Sequence, residues 1–131
     1  LMTMQEMSTA VQYKLPIKIF ILNNQYMGMV RQWQELLHEK NYSESYTAAL
    51  PNFVKLAEAY GCVGIQAKKP DELDEKIKEM INVNKPVIFD CLVDPMENCF
   101  PMIPSGKPHN QMLLGEQDEK EEISDEGKTL V

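Results

Sequence analysis

The chain has 131 residues, of which 44% are hydrophobic, so it is long and apolar enough to build one core of its own. Its formal net charge of -7 is concentrated at the end of the sequence, because positions 116–131 carry seven acids and two lysines. Nucleic acids and anionic membrane surfaces attract clustered Lys and Arg side chains. We therefore expect neither of them as a partner.

The cysteines and the apolar runs exclude further classes of protein. Cys62, Cys91 and Cys99 show no C-x-x-C spacing that would indicate a zinc site, so we expect reduced thiols in a cytoplasmic protein. No apolar run reaches membrane-spanning length and no signal-peptide pattern is present, which predicts a soluble protein. The sequence opens directly in a helical pattern without a capping residue. We interpret it as a piece of a longer protein.

The first half of the chain predicts two helices separated by one strand. Apolar residues at helical spacing predict a first helix from Leu1 to about Tyr13. The short, β-branched segment Ile17–Leu22 is typical of a strand that is buried on both faces. A second helix is expected from Gly28 to Glu39, and an irregular connection rich in Tyr and Ser follows it.

The second half continues the alternation of helices and strands. We expect a third helix between Pro51 and Gly61, a strand at Cys62–Ala67, a helix opened by Pro70, and a buried strand at Pro86–Val93. The predicted core positions of the fourth helix are Leu73, Ile77, Met80 and Ile81. This order of elements predicts an α/β fold with a parallel sheet flanked by helices.

Beyond the last strand the helical and strand patterns disappear. Residues 94–115 form a proline-rich segment that keeps the apolar residues Phe100, Met102 and Ile103, so we expect an ordered arm docked on other parts of the protein. Residues 116–131 have few large apolar side chains and are predicted to be disordered. The predicted organisation is therefore a domain at 1–93, an arm at 94–115 and an acidic tail at 116–131.

Two asparagines, Asn23 and Asn24, follow the first predicted strand. In an open parallel sheet, ligands bind outside the carboxyl ends of the strands. An Asn side-chain oxygen suits Mg²⁺, and Gly28 at the start of the next helix would let a phosphate approach backbone N–H groups. Asn-Asn is also a common turn sequence. The spacing alone leaves both a simple turn and a Mg²⁺-diphosphate site open.

The longer stretch around these asparagines resembles a known family. Residues 19–35 read IFILNNQYMGMVRQWQE and are similar to the large catalytic subunit of acetolactate synthase, also called acetohydroxyacid synthase. In thiamine-diphosphate enzymes the cofactor fingerprint begins with Gly-Asp and closes with Asn-Asn. The resemblance extends through segments 50–61, 69–73 and 101–104, and it covers Leu1 to Leu113. It implies that residues 1–93 are the C-terminal part of a thiamine-diphosphate-binding (pyrophosphate) domain.

The resemblance also implies roles for individual positions. The positions that would contact the cofactor are Asn24, Tyr26, Met27, Gly28 and Met29. Asn24 would ligate Mg²⁺ through its side chain, and Tyr26 would do so through its backbone carbonyl. Met29 and Trp33 would line the substrate channel, although spacing alone would place Trp33 in the core. No catalytic residue is expected in this chain.

The activity implied by the resemblance is the condensation of two 2-oxo acids with loss of CO₂. Pyruvate would react with pyruvate or 2-oxobutanoate, in the biosynthesis of branched-chain amino acids. Thiamine diphosphate and Mg²⁺ would be the cofactors, and FAD would be bound by the parent enzyme outside this chain. The parent is expected to be a homo-oligomer, with or without a regulatory subunit. The 131-residue chain alone is expected to be inactive, because the Mg²⁺-binding aspartate and the cofactor-activating glutamate lie elsewhere.

Two other interpretations stay open. Another thiamine-diphosphate decarboxylase or oxidase would share the Asn-Asn loop but not the run Met29–Gln34. A non-catalytic, truncated α/β module would fold or associate without any chemistry. A dinucleotide-binding domain is disfavoured, because no G-x-G-x-x-G follows any predicted strand.

Overall fold

The computed structural model describes residues 1–115, and the elements follow the predicted order. The helices and strands are α1 (Glu6–Gln12), β1 (Lys18–Asn23), α2 (Gly28–Leu37), α3 (Phe53–Tyr60), β2 (Val63–Ala67), α4 (Leu73–Asn82) and β3 (Val87–Leu92). Short 3-10 turns at Pro70–Glu72 and His109–Gln111 complete the list. No helix within residues 1–115 is long and apolar enough to cross a membrane. The predicted acidic tail, 116–131, lies outside the described residues.

The described chain forms two compact units. The first contains Leu1–Asn24 and Ala48–Pro95, and it includes all three strands. The second contains Gln25–Thr47 together with the described residues from Met96 onward. The division therefore falls inside the predicted cofactor loop, between Asn24 and Gln25.

The sheet of the first unit has three parallel strands in the order β1-β3-β2. The prediction of a parallel α/β fold is confirmed. The central strand β3 is buried along Val87–Cys91, as expected from its β-branched and aromatic residues. Its neighbours are held in register, with Phe89 of β3 opposite Phe20 of β1 and Ile65 of β2.

The prediction that β1 is buried on both faces is wrong. Phe20 is 39% exposed and Leu22 is 68% exposed, while the alternate side chains of the strand pack into the core. Two features of the fold explain the difference. β1 is an edge strand, and helix α4 packs over β2 rather than over β1. β1 therefore alternates like a strand with one covered face.

The core of the first unit has two clusters. One contains Met7, Phe53, Ala57, Cys62 and Ile88, and it joins α1 and α3 to the sheet. The other contains Ile65, Ala67, Met80, Val87 and Phe89, and it lies under α4. Ile81 was expected in this core but is 64% exposed. It follows Met80 directly, so its side chain points about 100° away around the helix.

Local signals explain how α3 begins and ends. The Asn52 side chain accepts a hydrogen bond from the Lys55 amide at 2.9 Å and caps the N-terminus. Gly61 has the left-handed φ of 81° that commonly ends helices. At Gly64 of β2, an added Cβ would lie 2.7 Å from the Val54 Cα, so the close packing of α3 on β2 requires glycine.

Candidate cofactor-binding site

The carboxyl end of β1 is anchored to the central strand at Asn23. The Asn23 Nδ2 donates a hydrogen bond to Asp90 Oδ1 at 2.9 Å, and both residues are buried. The Asn23 carbonyl also accepts a hydrogen bond from the Val93 amide at 3.1 Å. The chain therefore leaves the sheet from a residue that is held through both its side chain and its backbone. Asn24, which is half-buried, follows at once.

The second oxygen of Asp90 connects the third strand to the same carboxylate. Gln66 Nε2 of β2 donates to Asp90 Oδ2 at 2.8 Å. The three side chains Asn23, Asp90 and Gln66 thus form one chain of hydrogen bonds across β1, β3 and β2, near the carboxyl ends of the strands. This is the edge at which parallel sheets bind ligands.

In the second unit, the loop residues before α2 are held by a bridge to segment 45–47. The Met27 amide donates to the Ser45 carbonyl at 2.8 Å, and the Thr47 amide donates to the Gln25 carbonyl at 2.9 Å. Gln25 itself has a left-handed φ of 62°. The rings of Tyr26 and Tyr46 pack with their centroids 5.1 Å apart. These contacts fix the backbone that leads into α2.

The N-terminus of α2 is suited to an anion. Met27 occupies the N-cap position, where its side chain makes no capping hydrogen bond, and the first turn contains no acidic residue. The first intrahelical hydrogen bond runs from the Arg31 amide to the Met27 carbonyl at 2.9 Å. The amides of Gly28, Met29 and Val30 therefore lie in the turn whose N–H groups lack intrahelical acceptors. Such a turn can receive a phosphate.

The oxygen donors near this loop fit Mg²⁺ in kind. An Asn side-chain oxygen and backbone carbonyls are the hard, neutral ligands that Mg²⁺ accepts alongside carboxylates and phosphate oxygens. Within residues 1–115 no group of three or more His, Cys, Asp or Glu side chains is placed to hold a metal. A Mg²⁺ ion here would therefore also use oxygens from the cofactor or from outside the described residues.

The structure brings the two predicted channel residues together on one side of α2. Met29 and Trp33 line a groove of about 550 Å³, and Val30, Gln34, His38 and Asn41 complete its walls. Met29 is 54% exposed, and Trp33 is only partly buried, so neither side chain is a core residue of the second unit. Gln34 Oε1 and His38 Nε2 are buried polar atoms without a hydrogen-bond partner among the described residues. The lining is mainly apolar, and Gln34, His38 and Asn41 are its polar residues.

Sequence reasoning missed the two side chains that dock the arm on α2. Arg31 is fully buried; it pairs with Glu35 and donates to Asn98 Oδ1 at 2.6 Å. The Gln32 side-chain amide makes two hydrogen bonds with the backbone of Cys99. Gln32 Nε2 donates to the Cys99 carbonyl at 3.0 Å, and the Cys99 amide donates to Gln32 Oε1 at 2.8 Å. Polar residues on a buried helix face give no signal in hydrophobic periodicity. Only the arm, 66 to 67 positions later in the chain, explains them.

The arm itself folds back on its own end. Met102 and Leu113 form an antiparallel bridge through two backbone hydrogen bonds of 2.7 and 2.9 Å, and both side chains are buried. Gln32 Nε2 also lies 3.1 Å from the Met102 sulfur. The segment that Arg31 and Gln32 contact is therefore itself held by backbone hydrogen bonds.

Comparison with known proteins decides the family. Residues 1–91 match the family model described as the thiamine pyrophosphate enzyme, C-terminal TPP binding domain. The chain belongs to this family. The match includes β1, the Asn23-Asn24 loop and α2. The resemblance seen in the sequence is confirmed at this level.

Individual relatives give a closer comparison. The chain is 45% identical over 120 residues to the acetolactate synthase large subunit of Haemophilus influenzae, which covers 91% of this chain and 21% of the relative. For Cyanidium caldarium the same subunit is 47% identical over 113 residues, 86% of this chain and 19% of the relative. The isozyme 3 large subunit of Escherichia coli is 44% identical over 120 residues, covering 89% and 21%. This chain therefore spans about a fifth of the length of these relatives.

A solved structure supports the fold assignment. The thiamine diphosphate-dependent 4-hydroxybenzoylformate decarboxylase of Rhodococcus jostii RHA1 superposes with a TM-score of 0.62 and 25% identity, over 70% of this chain and 17% of that chain. The thiamine-diphosphate family is thus supported by both sequence and structure. The roles of Asn24, Tyr26, Met27, Gly28 and Met29, and of Trp33, stay predictions.

Proposed function

We propose that this chain is the Mg²⁺-diphosphate-binding part of a thiamine-diphosphate-dependent acetolactate synthase. One observation carries the proposal. The family's Asn-Asn loop leaves the carboxyl end of β1 from an anchored Asn23 and leads into α2, whose N-cap residue Met27 makes no side-chain capping hydrogen bond. Identity of about 45% to acetolactate synthase large subunits over some 90% of the chain supports this choice among thiamine-diphosphate enzymes.

Two sets of residues are proposed to hold the cofactor, one in each unit. In the first unit, the side-chain oxygen of Asn24 would ligate Mg²⁺. In the second, the Tyr26 carbonyl would ligate the same ion, and Met27, Gly28 and Met29 would lie against the cofactor, with the first-turn amides of α2 donating to the diphosphate. The family resemblance is the support for assigning both sets to one cofactor. Bound thiamine diphosphate would supply the nucleophilic carbon that attacks a 2-oxo acid.

The proposed reaction joins two 2-oxo acids with loss of CO₂. The donor would be pyruvate and the acceptor pyruvate or 2-oxobutanoate, on the route to branched-chain amino acids. The groove beside Met29 and Trp33 would be the wall of the substrate channel, since apolar side chains suit the methyl or ethyl group of these acids. This chain would bind and orient the cofactor, and the groups that exchange protons with it would come from the rest of the protein.

The remaining partners are also proposals. FAD would be bound by the parent protein outside this chain. The relatives are named large subunits, which supports a second, regulatory subunit as a partner. We further propose that the parent is a homo-oligomer and that it works in the cytoplasm.

A second candidate is a thiamine-diphosphate decarboxylase that releases an aldehyde instead of condensing two acids. The structural similarity to the Rhodococcus jostii RHA1 decarboxylase favours it. Identity of 45% over 120 residues and of 47% over 113 residues to two acetolactate synthase large subunits favours the first candidate.

Product analysis of the full-length parent protein separates the two candidates. The protein is incubated with pyruvate, thiamine diphosphate, Mg²⁺ and FAD, and the products are identified by mass spectrometry. Acetolactate as the main product, with its formation lost in an Asn24→Ala variant, is the expected result. Acetaldehyde as the main product would favour the decarboxylase, and product formation unaffected by Asn24→Ala would contradict the proposed cofactor role.

A further inference from the structure

Asp90 is an unusual residue for the centre of a parallel sheet. It lies on the middle strand β3, is only 3% exposed, and stands between apolar neighbours of the strand, Phe89 and Cys91. Its two carboxylate oxygens each accept one side-chain amide, from Asn23 at 2.9 Å and from Gln66 at 2.8 Å. Among residues 1–115 the ion pairs are Arg31–Glu35 and Lys76–Glu72, so no Lys or Arg neutralises Asp90.

A carboxylate is a poor choice if this position served only to hold the sheet together. Burying a charge is costly, and replacement of buried charged groups by apolar side chains of similar volume often leaves stability unchanged or improves it. The rest of β3 uses such apolar side chains. The presence of Asp90 is better explained by the group that it holds.

The group that Asp90 holds is the residue immediately before Asn24. Asn23 is fixed through its side chain by Asp90 and through its carbonyl by the amide of Val93, one residue after β3. Gln66 donates to the second oxygen of Asp90, which satisfies that oxygen without contacting Asn23. The backbone of Asn24 therefore starts from a position that is set by the contacts of β1 with β3 and with the residue after it. Groups that hydrogen-bond directly to a metal ligand are worth 10–100-fold in metal affinity, as an order of magnitude, and Asp90 acts one residue further away, so the lower end of this range applies.

We propose that Asp90 is a positioning residue for the cofactor, which acts through Asn23 to hold Asn24 ready for Mg²⁺ and thiamine diphosphate. This inference rests on the proposed role of Asn24 as a Mg²⁺ ligand. Asp90 would contact neither the ion nor the cofactor. It would restrict the conformations of Asn24 before the ion binds, so that binding costs less conformational entropy.

The test measures Mg²⁺-dependent binding of thiamine diphosphate to the full-length parent protein by calorimetry, without substrate, alongside the melting temperature of the cofactor-free protein. Asp90→Asn keeps the size of the side chain but replaces the charged acceptor of the Asn23 amide by a weaker, neutral one, and its N–H₂ group finds an acceptor only if the Gln66 amide turns over. We expect the half-saturating Mg²⁺ concentration to rise by about tenfold, the lower end of the range known for outer-shell partners of metal ligands.

Two further variants separate positioning from simple stabilisation. Gln66→Met removes the other hydrogen bond of the same carboxylate, so it should lower the melting temperature but change the half-saturating Mg²⁺ concentration by less than about threefold, below the outer-shell range. Combining Asp90→Asn with Gln66→Glu moves the charge to position 66. The new amide at position 90 can then donate to that carboxylate while its oxygen still accepts from Asn23, so Mg²⁺ affinity should return close to that of the wild type.

An Asn24→Ala variant distinguishes failure of this inference from failure of the proposed function. If Asn24→Ala weakens Mg²⁺-dependent binding while Asp90→Asn only lowers the melting temperature, Asp90 is structural and the inference is overturned alone. If Asn24→Ala leaves binding unchanged, the proposed Mg²⁺ role is wrong and the inference falls with it. An effect of Gln66→Met as large as that of Asp90→Asn also overturns the inference.

A folding failure of Asp90→Asn does not end the test. Asn23→Leu breaks the same contact from the other side and leaves the Asp90–Gln66 hydrogen bond in place. We expect it to raise the half-saturating Mg²⁺ concentration as Asp90→Asn does. Unchanged Mg²⁺-dependent binding in Asn23→Leu would overturn the inference.

Discussion

Replacing Arg31 by Met should loosen the contact between α2 and the arm. Arg31 is fully buried, and its guanidinium donates to Asn98 Oδ1 and to the Glu97 carbonyl besides pairing with Glu35. Met fills much of the same space, so the main loss is of hydrogen bonds. Buried Asn98 Oδ1 would be left unsatisfied at about 1–3 kcal/mol, and loss of the hydrogen bond to the carbonyl of exposed Glu97 adds about 1 kcal/mol. Glu35 is partly exposed, so water can replace its partner in part.

These contributions set the expected magnitude. The variant also removes Arg31 Nε, which has no hydrogen-bond partner among residues 1–115, so the total loss does not reach the top of the range and we expect about 3 kcal/mol. In hydrogen exchange this lowers the protection of amides in α2 by roughly 100-fold, since about 1.4 kcal/mol corresponds to a factor of ten. The assay is exchange mass spectrometry on the full-length protein, following peptides that contain 28–37 and 96–104.

The matched control is another ion pair at the same helical spacing. Lys76 pairs with Glu72 at 3.1 Å, and both side chains are partly exposed to water. Lys76 Nζ also donates to the Gln66 carbonyl, so Lys76→Met should change protection in α4 by about tenfold, because a surface pair and one part-buried hydrogen bond are together worth roughly 1–2 kcal/mol. Equal losses in the two variants, each measured in its own helix, would refute the reasoning that burial makes the Arg31 contacts strong.

Three other predictions follow from the fold. Gly64→Ala should destabilise the protein by about 1–3 kcal/mol, because its Cβ would overlap the backbone of Val54, whereas Gly115→Ala meets nothing within 4 Å and should have no effect on the melting temperature. Alkylation followed by peptide mass spectrometry should modify exposed Cys99 well before Cys62, since burial raises the pKa of the Cys62 thiol; equal rates would contradict this. The isolated 131-residue chain should bind thiamine diphosphate weakly or not at all, and micromolar Mg²⁺-dependent binding in calorimetry would show otherwise.

The elements that the sequence predicted best are those whose local signals agree with their tertiary setting. The apolar run around Val87–Phe89 predicted a buried strand, and the strand is central and buried. Gly61 predicted the end of α3 because a left-handed residue is needed there. β1 was misjudged because its apolar run reads the same whether the strand is central or at an edge. Strand order, which leaves Phe20 and Leu22 exposed, depends on contacts far apart in the sequence.

In the candidate site, too, contacts between residues far apart in the sequence could not be predicted. The Asn23-Asn24 loop and Gly28 are adjacent in the chain, so position after a strand and resemblance to a family could identify them. Asp90 could not be found in this way, because 67 positions separate it from Asn23. Its carboxylate appears in the sequence only as one acid within a strand. Arg31 was likewise left without a role, since its partners lie in the arm.

The central claim is that the loop after β1 holds Mg²⁺ and thiamine diphosphate. It is tested most directly by calorimetric titration of the full-length parent protein with thiamine diphosphate, with and without Mg²⁺, in the wild type and in Asn24→Ala. The account predicts Mg²⁺-dependent binding in the wild type and at least about tenfold weaker binding in the variant, because a metal ligand is lost. Binding that is equally tight in both proteins, or that does not depend on Mg²⁺, would contradict it.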